Sequence, residues 1–229
     1  MKIENIKHVF FDLDHTLWDF NRNSELTFQK IFEIHKVSVS SLDFVRIYEP
    51  INQNYWKLYR EERIDKASLR YGRLKDTFNA LEYRIEDEII YQLSEDYIQY
   101  LTSFNHLFDG TIELLNYLHS KYELHIITNG FEEVQLKKMT SSKISHFFKT
   151  ITNSEMAGVK KPNPIIFGHA LKVANAQPYE SIMIGDNYEA DILGAMNVGY
   201  DVIFVNYNNE SVEPKIKQVK DLLEIKMYL

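Results

Sequence analysis

At 229 residues, with 45% hydrophobic and 26% charged side chains, the chain can bury a sizeable core, as one large domain or as a domain carrying an insert. A formal net charge of −7 argues against a nucleic-acid polymer as partner, since neutralising phosphates needs a basic face, but leaves room for one small anion in a locally positive pocket. The absence of cysteine excludes disulfides and thiolate metal sites, and no apolar run reaches membrane-spanning length.

The N-terminal stretch Met1-Lys2-Ile3-Glu4-Asn5 lacks the apolar centre of a signal peptide, so the expectation is a cytoplasmic protein without a membrane partner. The first element is the run His8-Val9-Phe10-Phe11, which predicts a buried strand over 8–13. Its C-terminal end delivers Asp12-Leu13-Asp14-His15-Thr16, two carboxylates and a hydroxyl, where ligands bind in open α/β sheets. Asp12 and Asp14 lean the same way if extended geometry persists, and two close carboxylates call for a divalent cation such as Mg²⁺. The competing reading of the same residues is a strand followed by an Asp/Thr turn that caps a helix.

From about 18 to 105 no comparable strand occurs. Tyr48, Ile51, Tyr55 and Leu58 fall at helical spacing, as do Ile85, Ile89, Leu93, Tyr97 and Leu101, which predicts an insert of about four helices. Pro50 stands where it is tolerated near a helix start or interrupts the helix. The insert holds Trp18 and Trp56. Trp18 and Phe20, directly after the acidic loop, are candidates for reading a substrate by stacking; the alternative is that such rings fill the space between helices.

After residue 105 strands and helices alternate. Helical patterns over 111–120 and 164–174 lie among strand-like runs at 123–127, 148–152, 181–184 and 201–205, the signature of a parallel sheet covered on both faces. Three further strand ends carry chemistry. Thr128-Asn129-Gly130-Phe131 offers a hydroxyl, an amide and a glycine before a helix N-terminus, which suits a phosphate as well as it suits a plain capped turn. In Gly158-Val159-Lys160-Lys161-Pro162-Asn163-Pro164, a proline-fixed turn aims a lysine into a pocket or simply forms a solvated loop. Gly185-Asp186-Asn187-Tyr188-Glu189-Ala190-Asp191 places Asp186 at a buried strand end, where an unpaired carboxylate is costly and a metal would explain it; Asp191 reads equally as helix N-terminal charge.

Taken motif by motif, on Asp12-x-Asp14-x-Thr16, Thr128-Asn129-Gly130, Lys161-Pro162 and Gly185-Asp186-x₄-Asp191, the chain resembles the haloacid dehalogenase superfamily of hydrolases. The match spans nearly the whole length. Through Thr-Asn-Gly-Phe and the Gly-Val-x-Lys-Pro-Asn-Pro turn it resembles, more narrowly, bacterial pyrimidine nucleoside 5′-monophosphatases. The resemblance implies a Rossmann-like α/β core over 1–17 and 106–229, with an all-helical cap over 18–105 whose opening and closing controls entry. It implies that Asp12 attacks phosphorus to give an aspartyl-phosphate that water hydrolyses, with Asp14 as the acid and base, kept protonated by its neighbours at first. Thr128, Asn129 and Lys161 would bind the phosphate. Mg²⁺ would take Asp12, Asp186 and the backbone carbonyl of Asp14. Thr16 would support the loop, and Asp191 would hold Lys161 or a metal-bound water. Lys161 is preferred over Lys160 because the family's lysine directly precedes the proline.

The resemblance therefore implies a Mg²⁺-dependent phosphomonoesterase acting on nucleoside 5′-monophosphates or other small phosphorylated metabolites. The carbon–halogen branch generally lacks an acid at the position of Asp14, since a halide leaves without protonation. A phosphomutase of the β-phosphoglucomutase type keeps both acids and stays as an alternative, beside a haloacid dehalogenase and a non-enzymatic phosphate-binding module.

Overall fold

The structure, a computed structural model, describes residues 2–229 and divides into two compact units, one of the residues up to Asp19 with His106–Leu229, the other Phe20–Asn105. The division falls after Asp19, two residues beyond the expected start of the insert. Trp18 belongs to the first unit because its backbone is tied there: its N–H donates to the Leu13 carbonyl at 2.9 Å, and its carbonyl accepts from His15.

The first unit is built on β1 (His8–Phe11), fully buried as its Val/Phe content requires. The second unit then occupies the chain as α1 (Phe20–His35), α2 (Ser41–Arg60), α3 (Lys66–Ala80) and α4 (Asp87–Leu101). The first unit resumes with α5 (Thr111–His119), β2 (Glu123–Thr128), α6 (Glu132–Ser141), β3 (Phe148–Asn153), α7 (Ser154–Ala157) and α8 (Pro164–Ala174). It ends with β4 (Ser181–Gly185), a π-helical turn Tyr188–Leu193 running into α9 (Gly194–Met196), β5 (Asp201–Val205) and β6 (Gln218–Val219).

Among the described residues the strands form one six-stranded sheet, parallel throughout, in the order β3-β2-β1-β4-β5-β6. This is the α/β Rossmann-like sheet that the alternation of runs predicts. The first strand stops at Phe11 rather than extending to 13, although the Asp12 N–H still donates to Ile184 O at 2.9 Å. The sixth strand has no apolar run to announce it; flanking bonds from Phe204 N to Lys217 O and from Asn206 N to Val219 O hold it. On one face Phe10, Met183 and Phe204 pack with Ile166, Phe167 and Ala170 of α8.

In the second unit the core is aromatic. Phe28 lies 4.7–4.8 Å, ring centre to ring centre, from Phe44, Tyr48 and Tyr97. Leu93, Tyr97 and Leu101 are buried as their spacing predicts, but on α2 the buried stripe is Phe44-Tyr48-Asn52, and Ile51, Tyr55 and Leu58 are half-buried. Pro50 lies inside α2 without ending it.

Candidate active site

Leaving β1, the chain builds β2 and β3 on one side and then places β4 on the other. The crevice of this sheet therefore opens at the C-terminal ends of β1 and β4, where the strand order reverses. Asp12 follows β1 directly, Thr128 closes β2, and Asp186 follows Gly185 at the end of β4. The acidic loop turns tightly: His15 adopts φ 65°, and the N–H groups of Leu17 and Trp18 both reach the Leu13 carbonyl. Three of the four sequence-predicted elements thus meet at the strand ends of one sheet edge, and the Lys161 turn, between α7 and α8, joins them.

Lys161 sits at the centre, with 2% of its surface exposed, whereas Lys160 is half-buried. Its ammonium donates to Asp12 Oδ1 at 2.6 Å and to Ile127 O at 2.7 Å, and forms an ion pair with Asp191 Oδ1 at 2.6 Å. Burial disfavours its proton, but the Asp12 and Asp191 carboxylates more than offset this and hold Lys161 above the usual lysine range. Asp191 reaches so far because it lies in the π-helical turn and because residue 185 is glycine; a Cβ there would stand 2.3 Å from Asp191 Oδ2. That oxygen accepts from Asn187 N at 3.0 Å.

Asp12, Asp186 and Asp191 each offer a carboxylate oxygen within 4.8 Å of the others. Burial is the largest cause lifting Asp12, to about 7, with the Lys161 ammonium pulling against it. Burial also lifts Asp186 well above the carboxylate range, followed by the charges of Asp12 and Asp191. Three carboxylates sharing one ammonium are short of positive charge. Because both Asp191 oxygens are engaged, Asp12 and Asp186 are the ones that fit a hard, oxygen-seeking divalent cation. Thr16, fully buried, donates to Asp186 Oδ1 at 3.1 Å and fixes that carboxylate.

Asp14 has neighbours that the sequence did not announce. Lys138 of α6 donates to its Oδ1 at 2.5 Å, and Gln135, one turn earlier, donates to its Oδ2 at 3.0 Å. Both are buried, and the Lys138 ammonium also lies 4.3 Å from the centre of the Trp18 ring. Both carboxylate oxygens of Asp14 are thus held from one face of α6. Gly130 makes room for Gln135, because a Cβ at residue 130 would stand 1.8 Å from Gln135 Nε2. In the sequence both residues sit in Glu132-Glu133-Val134-Gln135-Leu136-Lys137-Lys138, which reads as a solvated helix face; only the i, i+3 spacing to one side could have marked them.

The Thr128 hydroxyl accepts from Gln135 Nε2 at 2.7 Å and from Gly130 N at 3.1 Å, which leaves its own proton for a ligand oxygen. Asn129 departs from the expected phosphate contact. Its amide accepts from Lys161 N at 2.7 Å and donates to Lys161 O at 3.0 Å, so the side chain clamps the lysine's backbone instead. Trp18 is buried in the first unit beneath Lys138, a supporting place rather than a stacking surface, and Phe20 is buried in the second unit at the start of α1.

A family model described as haloacid dehalogenase-like hydrolase matches residues 9–205. The chain is 31% identical over 199 residues to the pyrimidine 5′-nucleotidase YjjG of Escherichia coli K12, covering 86% of this chain and 85% of that one. It is 31% identical over 204 residues to a glyceraldehyde 3-phosphate phosphatase of Methanothermobacter thermautotrophicus, covering 88% and 86%. The crystal structure of the HAD-hydrolase YfnB from Bacillus subtilis, bound to magnesium, matches with a TM-score of 0.86 at 25% identity and covers 97% of both chains.

Proposed function

Because the chain belongs to the haloacid dehalogenase-like hydrolases, we propose that it is a Mg²⁺-dependent phosphomonoesterase of small metabolites, with nucleoside 5′-monophosphates as the first substrate class to test. The observation that carries this reading is the Lys161 ammonium pinned between Asp12 and Asp191, with Asp14 two residues beyond the nucleophile. The Escherichia coli relative supports the nucleotide class, and the archaeal one supports a phosphate monoester more broadly.

In the first step the Asp12 carboxylate forms a bond to phosphorus while the bond to the ester oxygen breaks, and the departing alkoxide takes its proton from Asp14. In the second, water gives a proton to Asp14 and attacks the same phosphorus, which releases inorganic phosphate and restores Asp12. Lys161 and the Thr128 hydroxyl face the charge that grows on the phosphoryl oxygens. The oxygen of Asp14 that hands over this proton has to be free of Lys138 or Gln135 at that moment, so one of those two bonds must loosen when substrate arrives. Asp12, Asp186 and the Asp14 carbonyl would hold Mg²⁺, which supplies the remaining positive charge that a phosphate dianion needs beside a carboxylate.

The chemistry of Asp14 also separates the alternatives. A halide needs no proton, so an acid held by two dedicated donors favours ester cleavage over a carbon–halogen substrate. Phosphate release from a panel of nucleotides and sugar phosphates with Mg²⁺ tests the proposal. Asp12→Asn should lower kcat by at least about a thousandfold while the protein stays folded. Full activity in that variant sinks the nucleophile assignment, isomerised product without free phosphate points to a mutase, and phosphate binding without turnover points to a binding module.

A further inference from the structure

At the other end of β1 the structure gathers a second set of ligand-type side chains. His8, Glu123 and His125 each bring one donor atom within 4.8 Å of the others. The topology makes the meeting: His8 pairs with Glu123 across β1 and β2, and His125 pairs with Phe10, so all three project from the same face. His8 is four residues before Asp12, about 13 Å away along an extended strand, so the cluster is separate from the acidic crevice.

The atoms that converge are two ring nitrogens and a carboxylate oxygen. His8 Nδ1 lies 3.1 Å from His125 Nε2 and 3.5 Å from Glu123 Oε2. A tetrahedral ion with bonds of about 2.0–2.1 Å separates its ligand atoms by about 3.3 Å, and these two distances straddle that value. The outer nitrogen of His125 has a hydrogen-bond partner, and that of His8 faces a carboxylate. His125 Nδ1 is 2.9 Å from Thr150 Oγ1, which orients the ring so that Nε2 faces inward, and Phe10 stacks on the ring at 4.5 Å. His8 Nε2 faces Glu180 Oε1 at 3.9 Å. Each carboxylate spends its other oxygen on a lysine: Glu123 Oε1 on Lys149 at 2.6 Å, Glu180 Oε2 on Lys7 at 2.7 Å. Ligating histidines held from behind in this way are the usual support of a metal centre. The cluster opens onto a cavity of ≈ 560 Å³ lined by His8, Glu123, Lys149 and Glu180, which gives an ion a path and room for a water as fourth ligand.

We propose that His8, His125 and Glu123 form a second metal site that takes a divalent transition ion of the zinc type, bridging the N-terminal ends of β1 and β2. Two imidazoles and one carboxylate select such an ion over Mg²⁺, which prefers an all-oxygen shell. The competing arrangement is a single proton shared between the two rings.

The experiment titrates the full chain with Co²⁺ as optical probe, in excess Mg²⁺ so that the acidic crevice is saturated. Wild type should take up one equivalent with the visible d–d bands of a four-coordinate, nitrogen-ligated ion, and Zn²⁺ should displace it. His8→Phe should abolish binding. Glu123→Gln and Thr150→Val should each weaken it by about tenfold or more. Asp186→Asn should leave it unchanged. Glu123 is half-exposed, so its variant decides the matter if the His8 variant folds poorly. No uptake in excess Mg²⁺, uptake that survives both His8→Phe and Glu123→Gln, or uptake lost in Asp186→Asn overturns the proposal.

Discussion

Each unit of the molecule buries a long cation, Lys161 in one and Arg73 in the other, and these two are kept by opposite means. Lys161 is surrounded by carboxylates, at 2.6 Å from both Asp12 and Asp191. Arg73 in the helical unit lies between rings, 5.1 Å from the centre of Tyr97 and 5.7 Å from that of Tyr48, and donates to Asn52 Oδ1 at 2.9 Å. Among the described residues no carboxylate pairs with Arg73. The difference lies in what would remain if the cation were removed: a cluster of buried acids in one case, a neutral amide and two aromatic rings in the other. A charge embedded in opposite charges can meet an incoming anion; a charge embedded in rings holds helices together.

Lys161→Met gives the largest expected effect. It strands Asp12 and Asp191 without a counterion, so it should destabilise the first unit by about 3–5 kcal/mol in chemical denaturation and abolish phosphate release. Mg²⁺ should recover part of that stability, and a variant as stable as wild type without Mg²⁺ breaks the contrast between the two cations. Lys138→Met comes next. It releases Asp14 Oδ1 but leaves the Gln135 bond, so kcat should fall by about tenfold to a hundredfold with KM little changed.

Mg²⁺ linkage follows in size. Asp12 is raised in the folded state, to about 7, so the folded chain holds a proton on it that the unfolded chain loses near pH 4. The stability that this proton represents is complete below about pH 4 and is lost as pH rises through 7. Above that range the ionised carboxylate offers its charge to the cation. The rise in Tm produced by Mg²⁺ should therefore be a few degrees larger at pH 8 than at pH 5, and Asp12→Asn should shrink the difference to the part that Asp186 supplies.

The strand-end motifs were legible because chemistry demands particular residues at particular spacings after an apolar run. Asp12, Thr128 and Asp186 stand at such ends, Asp191 lies in the turn that follows one, and Lys161 comes in the loop after α7 to join Asp12 and Asp191. What stayed hidden obeys no such spacing. Lys138 and Gln135 point inward from a helix whose sequence reads as solvated, and β6 is two residues held by backbone bonds. On α2 the buried stripe runs through Asn52, a polar residue that a search for apolar periodicity passes over, because its burial depends on Arg73 from another helix. His8 and His125 looked like strand residues, and only the pairing of β1 with β2 sets their rings 3.1 Å apart, nitrogen to nitrogen.

Arg73→Met should give the smallest effect, and for a reason that runs against the usual view of buried charge. The substitution loses two ring contacts, each worth about 1–2 kcal/mol when desolvated. It also removes the cost of keeping a guanidinium at 2% exposure among helices, with its Nε unpartnered. Asn52 Oδ1 is not orphaned, since the Tyr48 hydroxyl still donates to it at 3.3 Å, and the methionine fills much of the same volume. These contributions nearly cancel, so the stability measured by denaturation should change by no more than about 1–2 kcal/mol, against 3–5 for Lys161→Met. Equal losses for the two variants would mean that the rings hold Arg73 as firmly as the carboxylates hold Lys161, and the distinction between a charge kept for an anion and a charge kept for packing would fail.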